Sequence, residues 1–211
     1  MFKRISLIVC LTAGVIAFSA GGISAELYQL QQGAQTPFGI FDGTDDAYLR
    51  EPLPEASSGG YQELFVGFDS YFAGGKARAL IKFDVSLLKS GWTGSTNVTG
   101  ARLKLYVNGI SGALLSESTP VHLYRISDGN GGWSGGDPSN VDRTSSEMGA
   151  ACWDYRLWND TRIIENGTPT DTRMHVSWAG SAGCGTAGDD YISSAIADVE
   201  VQPNASGTWI T

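Results

Sequence analysis

The stretch that most constrains this chain is Lys76 to Leu88, "KARALIKFDVSLL". Read with a period of two, it puts Ile81, Phe83 and Val85 on one side and Leu80, Lys82 and Asp84 on the other, as an extended strand requires. Leu103, Leu105 and Val107 repeat the pattern, with Arg102, Lys104 and Tyr106 opposite. Two such strands need a second apolar sheet over them. Glycine, 28 of 211 residues, separates short alternating runs along the rest of the chain, and no segment holds a helical period beyond two turns. The pattern predicts an all-β fold.

Strands are expected at Ala47 to Arg50, Glu63 to Gly67, Ala77 to Val85, Ala101 to Val107, Val121 to Ile126, His175 to Ala179, Ala197 to Val201 and Thr208 to Thr211. Clusters such as "PLPEASSGG", "FAGGK", "DGNGGWSGGDPSN" and "AGSAGCGTAGDD" supply the turn chemistry between them. About eight strands make an antiparallel β-sandwich of jelly-roll type the natural arrangement. From Asp128 to Asp190 the chain becomes glycine-rich and carries Trp133, Trp153, Trp158 and Trp178. Loops this long inside a compact domain are functional or stapled.

The first 25 residues read differently. Lys3 and Arg4 precede an apolar run from Ile5 to Phe18, and small residues end in "ISA" before Glu26. This is the pattern of a secretory signal peptide cleaved after Ala25. The run is short for a bilayer span, so no membrane insertion is expected after cleavage. Residues 26–41 form a lead-in, and residues 42–211 the domain. Cleavage removes two of the 14 basic residues and none of the 22 acidic ones, so the exported chain is more acidic than the whole-chain net charge of −8. An acidic surface repels phosphate backbones, which argues against a nucleic-acid partner.

With Cys10 in the leader, Cys152 and Cys184 remain. An oxidising compartment predicts a disulfide between them, the alternatives being two separate buried thiols or, less in keeping with the absence of a C-x-x-C pair, a metal site.

The segments "DAYLRE" (Asp46 to Glu51), "LFVG" (Leu64 to Gly67), "RALIKFDVSLL" (Arg78 to Leu88), "GARLKLYV" (Gly100 to Val107), "VHLYRI" (Val121 to Ile126), "CWDYRL" (Cys152 to Leu157) and "WAGSAGCG" (Trp178 to Gly185) stand in one order. That ordered set resembles the DNRLRE-domain family, related to disaggregatase-associated repeats and to a carbohydrate-binding module described beside alginate lyases. The resemblance covers residues 42–211. It implies a secreted jelly roll without catalytic activity, one module of a larger extracellular protein, in which the step matching Phe83-Asp84 closes a core strand. The family continues past the segment matching "GTWIT" with further strands. The resemblance therefore implies a domain incomplete at its C-terminal end, completed by a longer reading frame or by a strand donated from a neighbouring chain.

Residues able to do chemistry are few. His122 and His175 are the only histidines, each in or beside a predicted strand. "AGSAG" around Ser181 imitates a nucleophile elbow, but no helix follows it as the elbow requires. The acid pairs Asp45-Asp46 and Asp189-Asp190 place neighbouring carboxylates on opposite faces of an extended chain, unlike the facing pair of a glycosidase. Loop oxygens of Asp42, Asp45, Asp128 and Asn130 suit Ca2+, the alternative being solvated turn residues.

Aromatic planes at Trp133, Tyr155, Trp158 and Trp178 suit stacking on sugar rings, and Arg50, Arg78, Lys82 and Lys104 suit uronate carboxylates. The ordinary alternatives are core packing for the aromatics and a solvated outer sheet face for the cations. Trp153, next to Cys152, is expected to pack on the disulfide. Asn97, Asn159, Asn166 and Asn204 lie in N-x-S/T sequons. The function expected is a non-catalytic, secreted carbohydrate-binding module for acidic polysaccharide, with a structural module of a cell-surface fibre or adhesin as the alternative.

Overall fold

The computed structural model describes residues 4–10, 30–31, 33–36, 39–58, 63–69, 74–86, 101–111, 117–136, 150–157, 163–165, 168–170 and 175–211. Their regular structure is almost entirely strand: β1 (Arg4–Cys10), β2 (Gln35–Thr36), β3 (Gly39–Ile40), β4 (Thr44–Arg50), β5 (Leu64–Asp69), β6 (Gly75–Phe83), β7 (Lys104–Ser111), β8 (Thr119–Leu123), β9 (Tyr155–Leu157), β10 (Ile163–Glu165), β11 (Thr168–Thr170), β12 (Val176–Ser177), β13 (Ala197–Val201) and β14 (Thr208–Ile210). A 3-10 turn covers Asp128–Asn130. The fold is all-β, and every strand pair is antiparallel, as the glycine-punctuated alternation predicts.

The largest sheet has six strands in the order β14-β7-β1-β5-β6-β4. Strand β6 is the opening alternation, and its two sides are now distinguishable. Ile81 packs with Tyr48, Leu64, Phe65 and Ala77 and also reaches a second cluster of Leu105, Val107, Val201 and Ala205. That second cluster includes Val121 of β8, which pairs with β13 through Val121↔Val199. The β8–β13 ribbon is therefore an apolar layer packed on the six-stranded sheet. On the other side, Leu80 packs with Ala47 and Leu49 of β4 beneath Trp133, Ala151, Trp153, Trp178 and Cys184. Both sides of β6 are covered, and the tryptophan-rich segment forms the second cover.

The strands expected at Ala197 to Val201 and Thr208 to Thr211 match β13 and β14 within a residue. Strand β4 begins earlier than expected, at Thr44, so Asp45 is a strand residue instead of a loop oxygen. The strand expected at Ala101 to Val107 lies further along, at Lys104–Ser111. Its partner there is the segment expected to be a leader: Arg4–Cys10 pairs with β7 from Arg4↔Ser111 to Cys10↔Lys104 and with β5 from Arg4↔Gly67 to Leu7↔Leu64. The register with β7 shifts between Ser6 and Leu7, leaving Asn108 as an extra residue of a bulge. Among the described residues no helix is long and apolar enough to cross a membrane.

Candidate functional site

Alternation in β4 and β6 puts Asp45, Ala47 and Leu49 opposite Lys82, Leu80 and Arg78 on the side that meets the tryptophan layer. The polar members of that row bind the layer. Lys82 Nζ lies 2.9 Å from Asp45 Oδ2, donates to the Trp133 carbonyl at 2.7 Å and sits 4.8 Å from the centre of the Trp133 ring. Asp45 Oδ1 in turn accepts the Gly135 N–H at 2.8 Å. Arg78 donates from Nη1 to the Gly183 carbonyl at 2.6 Å, with its guanidinium 5.2 Å from the Trp153 ring centre. Cations on carbonyls and aromatic faces here act as fasteners between sheet and loops.

Within the layer the indole N–H of Trp178 is shared between the carbonyls of Cys152 and Trp153, at 3.1 and 3.0 Å. Gly183 takes φ 74° and passes so close beneath Trp153 that an added Cβ would stand 2.7 Å from the ring. The loop that follows is organised by one carboxylate. Fully buried, Asp190 accepts N–H groups of Gly180 at 2.8 Å, Ser181 at 2.9 Å and Thr186 at 2.8 Å, and the Asn130 side-chain amide at 2.9 Å. Burial pushes this carboxyl upward, but the donors outweigh it and hold the group below its ordinary range. Asn130 completes the arrangement by accepting the Ala179 N–H at 2.9 Å. Asp190 as an organiser was not evident from sequence, although an acid within a glycine-rich, serine- and threonine-bearing loop is the available signal.

Of the residues expected to contact sugar, Arg78, Lys82, Trp133 and Trp178 meet in this interior junction, and the others lie apart from it. Trp133 and Trp178 are 3% and 4% exposed, with their rings inside the core. Tyr155 is half-buried on β9, its ring 4.4 Å from that of His175. Trp158 lies outside the described residues. Arg50 is fully buried with its guanidinium 5.3 Å from the Tyr48 ring centre. Lys104, on β7, is separated from Lys82 of β6 by two intervening strands, about 14 Å across the sheet.

The expected calcium ligands also part company. Asp45 pairs with Lys82, the exposed Asp128 with Arg125 at 2.7 Å, and Asn130 with Asp190, while Asp42 is exposed before β4. Among the described residues no three His, Cys, Asp or Glu side chains converge.

The expected disulfide is a point of difference. Cys152 and Cys184 are buried thiols, not joined to each other. Cys184 sits at φ 54° with its sulfur 3.7 Å from the Asp190 carbonyl, which directs it into the Asp190 loop. Burial, and then the Asp190 charge, push its thiol up to about 12, against a smaller lowering by Arg78. Ser181 of "AGSAG" is likewise a loop member: its N–H bonds Asp190 and its hydroxyl accepts from Thr186 Oγ1 at 2.9 Å.

The aromatics that do meet solvent were not singled out from sequence. Tyr124 stands with Tyr191 at 4.8 Å and with His122 at 6.2 Å, beside exposed Ile192 and Ile196. Trp209, 52% exposed on β14, meets Tyr106 edge-on at 5.2 Å. Of the sequon asparagines, Asn204 is exposed and the other three lie outside the described residues. No family model matches this chain, and searches of curated proteins and of solved structures return no match either.

Proposed function

We propose that this chain is a non-catalytic β-sandwich module of jelly-roll type that serves as a structural unit of an exported surface assembly, meeting protein partners through its sheets. The observation that carries this reading is the use made of the tryptophans and cations: Trp133, Trp153 and Trp178 lie in the core, and Arg78 and Lys82 bind carbonyls of their own chain. A polysaccharide surface needs ring planes and cationic heads open to water. Export is supported by the leader pattern, and the modular, non-catalytic character by the resemblance to the DNRLRE-domain family.

A second reading, binding of acidic polysaccharide, draws support from exposed Tyr124, paired with half-buried Tyr191, with Arg125 nearby in sequence. Affinity electrophoresis of the exported protein through alginate and through a neutral glucan separates the two. The structural reading expects unretarded migration in both, together with cross-linking of the protein into high-mass species on intact cells. Retardation by alginate that fades with salt and with Tyr124→Ala would overturn it in favour of sugar binding.

A further inference from the structure

The most informative pairing in the sheet is that of β1. Strand β1, Arg4–Cys10, fills a position between β5 and β7, pairing β7 along all seven residues and β5 through Arg4–Leu7. Their sequence, "RISLIVC", lies within the leader whose pattern calls for removal after Ala25. Taking that segment away divides the sheet into β14-β7 and β5-β6-β4. Two backbone edges then face each other across a gap of two strand spacings, about 10 Å. The layer beneath holds them apart: Val66 of β5, Ile81 of β6 and Leu105 and Val107 of β7 all pack in one cluster with Val121 and Val201 of the β8–β13 ribbon. Edges of this kind carry rows of N–H and C=O groups that must find partners.

The geometry points to a strand-acceptor slot between β5 and β7, occupied in the exported protein by an extended, apolar segment about seven residues long from a neighbouring protein chain. This deepens the structural reading above and rests on it. The occupant is extended because both walls are strands, and apolar because the segment seated there is. The lead-in of the same chain is committed elsewhere. Leu30 and Phe41 are buried, and the bonds Gly33 N to Phe41 O at 2.7 Å and Phe41 N to Ala34 O at 2.9 Å hold it as it enters β4. Strand β4 lies at the far edge of the sheet, with β6 and β5 between it and the slot. Strand β14 is committed too, pairing the opposite edge of β7.

The test uses protein recovered from the exporting cell, and intact-mass measurement first defines its N-terminus. A chain beginning at Glu26 is expected; retention of residues 1–25 would mean that export processing fails and would remove the slot with it. The processed protein is recovered in high-mass species and incubated with a synthetic peptide of residues 4–10 bearing a soluble tail. One peptide per chain should bind, release the chain from those species and raise its melting temperature, whereas the Leu7→Pro peptide, lacking a backbone N–H and locked in φ, should bind at least tenfold more weakly. A photo-crosslinker at the Ser6 position should label Phe65 or Gly109, its register partners. A processed protein that is monomeric, ignores the peptide and already protects the β5 and β7 amides from exchange has closed the slot within its own chain, and would overturn the proposal while leaving the export reading intact.

Discussion

Arg78 and Gly183 are joined by a 2.6 Å hydrogen bond that spans 105 residues of sequence and fixes the tryptophan layer to strand β6. Lys82 and the Trp133 carbonyl make a parallel tie of 2.7 Å across 51 residues. These two contacts turn a face that reads as solvent-exposed into an interior junction.

Their energetic weights should differ. Arg78→Ala removes a charge-assisted bond and the stacking over Trp153, and is expected to cost about 2–3 kcal/mol in urea unfolding. The Lys82 ammonium is more open, with 40% of its side chain exposed, so Lys82→Ala should cost only about 1 kcal/mol. Unchanged midpoints for both variants would show that the layer is held by packing alone.

Gly183 and Gly188 make a controlled pair. Both take positive φ, but an added Cβ at Gly183 strikes the Trp153 ring whereas at Gly188 it meets nothing within 4 Å. Gly188→Ala should cost about 1 kcal/mol, the backbone term alone, and Gly183→Ala about 3 kcal/mol or more, as overpacking is added. Thermal denaturation of the two variants side by side makes the comparison.

Two carboxyls set opposite pH dependences. Asp46 is raised to about 6 by burial and then by the neighbouring charge of Asp45. A raised folded pKa means that its contribution is fully present below the unfolded value near 3.8 and is lost as pH rises through about 6. Asp46→Asn should therefore stabilise the protein by about 1–2 kcal/mol at pH 7 and flatten the slope between pH 4 and 7. Asp190 is lowered, so its contribution is present above the unfolded value and is lost as pH falls below it. Asp190→Asn should destabilise most at neutral pH, by about 2–3 kcal/mol, with the difference narrowing in acid. Urea titrations across pH read both signs.

The thiols are protected by their surroundings. With Cys184 buried and pushed up to about 12, and Cys152 equally buried, iodoacetamide at pH 8 should leave the native protein unmodified. Denaturation without reductant should then give two adducts on the processed chain. Mass spectrometry that finds none after denaturation would instead establish the bridge expected of an exported chain.

The secondary structure was legible where periodicity was strong and local. Strand β6 could be read within two residues because Ile81 and Leu80 alternate in a run that no turn residue interrupts, and β13 matches its expected span. The site was much less legible. Arg78, Lys82, Trp133 and Trp178 are the residues from which sugar contacts were expected, and the structure uses the same chemistry, cation and aromatic plane, between parts of one chain. A side chain's capacity to stack or to donate is written in its type; the identity of its partner is not.

Sequence by itself determined that this chain folds as antiparallel strands, because a period of two and glycine-rich turns act over a few residues and need no distant partner. Only the tertiary structure decided which face of β6 the 128–190 segment covers, that Asp190 gathers the N–H groups of its loop, and that Arg4–Cys10 occupies the position between β5 and β7. Those outcomes rest on burial and pairing between segments far apart along the chain. The same local alternation is compatible with many such pairings, and packing the buried surfaces selects among them.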